Sequence, residues 1–148
     1  MIIGMRGGGK TYDAKYWCIT DFLKNGKQAV WVRRYDTELT GQGKDTGCIA
    51  TFFKDIKKDK RLLKKYPDLK LETQGYFAYI NGKPAIEFIP LSTAHSRKSN
   101  SFPDTNKIIF DEFLIDTGKA HYLKNEVTQL LAISFRGDFC IANNSKTA

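Results

Sequence analysis

Two rhythms of apolar and polar positions run through this chain, one of period two and one near 3.6. Met1-Ile2-Ile3 reads as the end of an apolar strand that runs straight into a glycine-rich turn. Residues 11–23 predict a helix with Tyr12, Tyr16, Ile19 and Leu23 inward, stopped by Asn25-Gly26. Gln-Ala-Val-Trp-Val-Arg, residues 28–33, predicts a short strand. Residues 36–50 are rich in Gly, Thr and Asp and read as a mobile loop. Residues 54–65 predict a helix with Ile56, Leu62 and Leu63 as a thin apolar stripe and Pro67 beyond its end.

Further on, two strand-like runs flank Asn81-Gly82, a strong hairpin signal. Residues 92–106 read as irregular, residues 107–113 as an apolar strand ending in two carboxylates, and residues 122–133 as a helix with Tyr122, Val127, Leu130 and Leu131 inward. Residues 139–142 form a last apolar strand. Strands alternating with helices imply right-handed crossovers and an α/β fold with a mainly parallel central sheet flanked by helices. The hairpin reads as an insertion into it. Such sheets bind ligands at the carboxyl ends of their strands.

Composition narrows the class. With 148 residues, 41% hydrophobic and 27% charged, the chain fits one globular domain spanning 1–148. No apolar run approaches the roughly 20 residues that a membrane span needs, and no signal peptide is visible. Cys18, Cys48 and Cys140 are odd in number and contain no Cys-x-x-Cys pair, as expected for thiols in a reducing compartment. Formal net charge is +8, of which residues 54–65, with seven basic and two acidic side chains, contribute +5. That excess suits a polyanionic partner or a solvated helix face.

The chemistry concentrates in two motifs. Gly4-Met5-Arg6-Gly7-Gly8-Gly9-Lys10-Thr11 matches the phosphate-loop pattern G-x-x-x-x-G-K-S/T throughout. Gly4, Gly7, Gly8 and Gly9 allow successive N–H groups to face one anion, beside the positive end of the helix that follows. Lys10 is expected to reach the β- and γ-phosphates, and the Thr11 hydroxyl to ligate Mg²⁺. Arg6 can reach the phosphates in cis or stand exposed in the loop. Lys107-Ile108-Ile109-Phe110-Asp111-Glu112 is the matching second half, with Asp111 as the Mg²⁺ carboxylate and Glu112 as the base that polarises the attacking water. The Asp-Glu pair sets the chain apart from small GTPases and nucleotide kinases. It points to a P-loop NTPase of the additional-strand (ASCE/RecA-like) type, taking ATP and Mg²⁺.

The loop Gly-x-Arg-Gly-x-Gly-Lys-Thr resembles that of viral terminase motors. The wider pattern resembles the DNA-packaging (encapsidation) ATPase family of φ29-like tailed bacteriophages, in its N-terminal ATPase domain. Val32-Arg33-Arg34-Tyr35, Tyr79-Ile80-Asn81-Gly82-Lys83, Pro90-Leu91-Ser92, Lys98-Ser99-Asn100, Ile109-Phe110-Asp111-Glu112-Phe113 and Asn125-Glu126-Val127 carry that resemblance in family order. It implies an ATP-driven motor that moves double-stranded viral DNA into a preformed capsid. Arg136 would be an arginine finger acting in trans, and Asn143 the polar sensor of the γ-phosphate. The resemblance further implies a homo-oligomeric ring, a pentamer in this family, attached transiently to the portal of the prohead in the host cytoplasm. A structural RNA is a further partner in some members, and no membrane is involved. The family's C-terminal nuclease-like domain has no counterpart here, so a fragment is expected.

Arg34, Lys44, Lys119 and Lys124, in loops at strand ends, are the candidate grips on DNA phosphates. Other readings stay open: another P-loop translocase such as a helicase, a conjugation-type pump or a filamentous-phage assembly ATPase; a nucleotide-gated binding or scaffold protein; or a small-molecule kinase.

Overall fold

The structure is a computed structural model that describes residues 2–3, 10–43, 45–93, 105–111 and 138–142. Among the described residues the strands form one seven-stranded sheet in the order β1-β7-β6-β2-β5-β4-β3. The strands are β1 (Ile2–Ile3), β2 (Gln28–Arg33), β3 (Leu71–Gln74), β4 (Phe77–Ile80), β5 (Lys83–Pro90), β6 (Thr105–Asp111) and β7 (Asp138–Ala142). From β1 to β5 every neighbouring pair is parallel, whereas β5–β4 and β4–β3 are antiparallel. The sheet is therefore mixed. The hairpin is also no insertion. Its second strand, β5, pairs with β2 and belongs to the central sheet, so its apolar run Ala85-Ile86-Phe88-Ile89 is buried like that of any interior parallel strand.

Asn81 and Gly82 adopt φ of 52° and 78°, the double left-handed geometry of a tight hairpin turn whose twist matches its strands. A second tight turn, with Gly75 at φ 58°, adds β3 at the sheet edge. The polar sequence Leu-Glu-Thr-Gln of β3 gave no strand signal. Only Leu71 of that strand is buried, so two-fold alternation had too little length to show.

Helix α1 (Lys10–Asn25) ends where Gly26, at φ 68°, donates its N–H to the Phe22 carbonyl at 2.9 Å, a C-terminal stop that glycine allows. Its buried residues are Ala14, Lys15, Cys18 and Ile19, while Tyr12, Tyr16 and Leu23 are partly buried against the same core. The inward face thus keeps Ile19 of the expected stripe and centres on it together with Ala14 and Cys18. Against it, Phe52 meets the rings of Trp31 and Phe88 edge-on at 4.9 and 5.1 Å between centroids.

Residues 36–50 carry two short helices rather than a mobile loop, α2 (Asp36–Thr40) and α3 (Gly47–Thr51), with Leu39 buried completely. The glycines serve close packing here. A Cβ on Gly47, at φ 89°, would come within 2.6 Å of the Leu39 carbonyl oxygen.

The basic segment is also not one helix. A 3-10 turn (Ile56–Lys58) and α4 (Lys60–Lys65) are separated at Asp59, whose carboxylate accepts from the backbone N–H groups of Arg61 and Leu62 at 2.9 and 3.1 Å. That capping starts a new helix and breaks the old one. Ile56 and Leu62 are buried, but Leu63 is exposed and no part of the stripe. Among the described residues no helix is long and apolar enough to cross a membrane.

Candidate functional site

Three elements bring their ends together at the carboxyl edge of the parallel strands. Parallel pairing matches Val32 of β2 with Phe110 of β6, so the next residues along, Arg33 and Asp111, are neighbours. Helix α1 supplies Thr11 in its first turn. The Thr11 hydroxyl donates to Asp111 Oδ1 at 3.0 Å, and Arg33 Nη1 donates to Asp111 Oδ2 at 2.8 Å. Each oxygen of this nearly buried carboxylate therefore has a donor. Arg33 reaches in a second direction, from Nε to Glu38 Oε2 on α2 at 3.3 Å.

These groups line a cavity of about 330 Å³. Thr11 and Lys15 come from α1, Arg33 from β2, Glu38 from α2, Gly47, Cys48 and Thr51 from α3, and Asp111 from β6. Lys15 is fastened at its back. Its Nζ donates to the Phe52 carbonyl at 2.8 Å, stands 3.4 Å from Asp55 and lies 4.7 Å from the centre of the Phe52 ring. Lys15 thus anchors α1 to the segment after α3.

The donor set fits a hard divalent cation. Thr11 gives its proton to Asp111, which leaves the hydroxyl lone pairs facing outward, and hydroxyl and carboxylate oxygens are the ligands that Mg²⁺ selects. An α-helix N-terminus beside them favours negative charge such as phosphate.

A larger cavity, about 390 Å³, lies elsewhere, between α3, the 3-10 turn and β3. It presents Lys54, Lys57 and Lys58 beside Asp45 and Glu72. The smaller cavity holds the Thr11–Asp111 pair, and chemistry rather than volume marks the candidate site.

Of the residues expected from the sequence, Thr11 and Asp111 are brought together by a hydrogen bond. Lys10 begins α1. Gly4, Arg6, Gly7, Gly8, Gly9, Lys44, Glu112, Lys119, Lys124, Arg136 and Asn143 lie outside the described residues, as do the helix expected at 122–133 and Cys140 beyond its backbone. Arg34 is corrected. It is only 3% exposed, its guanidinium lies 5.4 Å from the centre of the Phe110 ring, and its carbonyl accepts from the Ser92 N–H at 2.9 Å. It is packed into the fold and not displayed on a loop for DNA.

Arg33, Glu38 and Lys15 were not singled out by the sequence. The available signal was the adjacent pair Arg33-Arg34. Side chains alternate along a strand, so one arginine had to face the cavity and the other the opposite side, but which one depends on the register of β2.

Away from the site, Lys107 is completely buried at the start of β6, with Nζ donating to Asp21 at 2.6 Å and lying 5.2 Å from the centre of the Trp17 ring. Burial alone would raise the Asp21 carboxyl. Bonds from Lys107, Asn25 and Asn106 outweigh it and hold that group below the usual carboxylate value. The Tyr12 hydroxyl, one residue beyond Thr11, donates to Asp59 at the cap of α4. Burial and that bond push the Tyr12 phenol up to about 12.

The profile of the podovirus DNA encapsidation protein (Gp16) family matches residues 1–145. The DNA packaging protein of Bacillus phage phi29 is 38% identical over 130 residues, covering 88% of this chain and 35% of that protein. This chain thus spans about a third of the length of that curated relative. The crystal structure of the N-terminal domain of the DNA packaging ATPase from bacteriophage phi29 superposes with a TM-score of 0.75 at 34% identity, over 99% of this chain and 73% of that one. A chain of the phi29 viral genome packaging motor assembly superposes with a TM-score of 0.73 at 34% identity, over 99% of this chain and 43% of that one.

Proposed function

This chain belongs to the podovirus DNA encapsidation protein family, and from that premise we propose that it is the ATP-hydrolysing domain of a motor that drives double-stranded viral DNA into a preformed capsid. The observation that carries the reading is the Thr11–Asp111 hydrogen bond at the mouth of the 330 Å³ cavity. It supports the reading by joining the two candidate motifs where an α/β sheet offers its strand ends.

In this reading the loop Gly4 to Thr11 and Lys10 hold the polyphosphate of ATP. Thr11 and Asp111 hold Mg²⁺, which when bound offsets charge on the phosphates. Glu112 takes the proton of the attacking water, Arg6 adds positive charge in cis, and Asn143 senses the γ-phosphate. Arg136 of one subunit completes the site of the next in a ring, on this reading a pentamer docked on the portal of the prohead in the host cytoplasm. A structural RNA is a further partner in that setting. Lys44, Lys119 and Lys124 are the grips on DNA phosphates, binding without sequence preference and weakening with salt.

Phosphate release measured against protein concentration, with double-stranded, single-stranded or no DNA, tests this. Turnover per subunit should rise with concentration and respond most to double-stranded DNA, and Glu112→Gln should abolish it while nucleotide still binds. An arginine finger contributes roughly 10³–10⁵ in rate, so a flat concentration profile removes the shared site. Absence of Mg²⁺-dependent turnover in the assembled ring removes the motor.

A further inference from the structure

Asp111 carries two demands at once. Its side chain is 5% exposed, and a carboxylate buried so far needs an opposite charge. Arg33 supplies that charge at 2.8 Å. In the reading above, however, Asp111 also serves a divalent cation. A cation at Thr11 and Asp111 would stand within a few ångströms of the Arg33 guanidinium, and like charges that close repel strongly where water is scarce.

The geometry around Arg33 answers this conflict. The guanidinium uses Nη1 for Asp111 and Nε for Glu38. These are different edges of one rigid fork, so one contact can lengthen while the other tightens. The Asp111 contact is the shorter, 2.8 against 3.3 Å. Glu38 is a quarter exposed and faces the same cavity. It sits on α2, beside the buried Leu39 and the close Gly41–Gly47 approach.

We propose that Arg33 is a positioning residue that stands in for the divalent cation at Asp111, and that Glu38 receives its charge when Asp111 serves the cation. The inference rests on the Mg²⁺–nucleotide reading of this site and extends it. Metal occupancy is thereby passed to α2, which shares the wall of the cavity with α3. Arg33 keeps Asp111 aimed at Thr11 whenever no cation is bound and sets how much Mg²⁺ is needed for binding there.

The test is equilibrium binding of a fluorescent ATP analogue by the full chain, titrated with Mg²⁺. Arg33→Gln removes the competitor, so half-saturation should fall to a lower Mg²⁺ concentration, by roughly three- to tenfold. Glu38→Gln removes this carboxylate partner and should raise it by a similar factor. A plain change of local charge would lower the first value and raise the second just as the proposal does, so the double variant decides. With Arg33 gone, Glu38→Gln should have no further effect. Additive effects overturn the proposal, as does an unchanged or raised Mg²⁺ requirement in Arg33→Gln. Glu38→Gln leaves the Arg33–Asp111 pair intact, so an unchanged or lowered requirement there overturns the proposal even if Arg33→Gln does not fold. Nucleotide binding without any Mg²⁺ dependence in the unaltered chain sinks the site reading itself, a different outcome from any of these.

Discussion

Thr11 and Asp111, 100 positions apart in the chain, share a hydrogen bond of 3.0 Å between the first turn of α1 and the end of β6. Neither residue has a distinctive environment in its own element. The pairing arises because the strand before α1 and the strand carrying Asp111 belong to one sheet, β1 and β6 both flanking β7 in parallel.

Removing either partner should cost turnover more than folding. Thr11→Ala or Asp111→Asn is expected to lower steady-state ATP hydrolysis about 100-fold or more, the scale of losing well-placed charge stabilisation. Circular dichroism should stay native. Hydrolysis within a few-fold of the unaltered chain would show that this pair is structural only.

Two glycines with positive φ should respond very differently to the same change. At Gly82 an added Cβ meets nothing within 4 Å, so Gly82→Ala should cost only the backbone strain, about 1–2 kcal/mol. At Gly47 the added Cβ would come within 2.5–2.6 Å of Gly41 and Leu39 backbone atoms. Gly47→Ala should therefore cost about 2–4 kcal/mol in urea denaturation. Equal costs would mean that the Gly41–Gly47 approach is not tight in solution.

Asp21 and Lys107 set an acid limit. The Asp21 carboxyl is held low in the folded chain, so its contribution is present above the unfolded value near pH 4 and is lost as pH falls through the lower folded value. Stability should drop below about pH 4 for this reason. In Asp21→Asn that component of the drop should vanish, while stability at pH 7 falls by about 2 kcal/mol or more, because the completely buried Lys107 amine loses its charged partner. An unchanged urea midpoint at pH 7 would rule out the pair as a stabilising contact.

Tyr12 should titrate late. Burial and the bond to Asp59 push its phenol up to about 12 from the ordinary value of 10.0. Ultraviolet titration should show one tyrosine ionising near that pH, absent in Tyr12→Phe. Asp59→Asn should bring it back toward the ordinary value. Because the folded value is the higher one, the stabilisation is complete below about pH 10 and is lost as pH rises through it.

Taken alone, the sequence determined what depends on neighbours along the chain. The Asn81-Gly82 turn, the Gly26 stop and the apolar strands are legible because backbone preference and short-range periodicity act within a few residues. Thr11 and Asp111 were each legible as candidates from their own short motifs, and the contact between them was found in the structure. Tertiary structure alone decided the rest. Whether Arg33 or Arg34 faces the cavity depends on how β2 is set between β5 and β6, a non-local register that flips every side chain if it slips by one residue. The glycines of residues 36–50 look like flexibility until Gly41 and Gly47 are seen in contact. The 54–65 segment reads as one helix until Asp59 turns its carboxylate to cap a second. Glu38 joins the site only because Arg33 bridges two carboxylates 73 residues apart, and no local pattern encodes a contact made by closing the sheet.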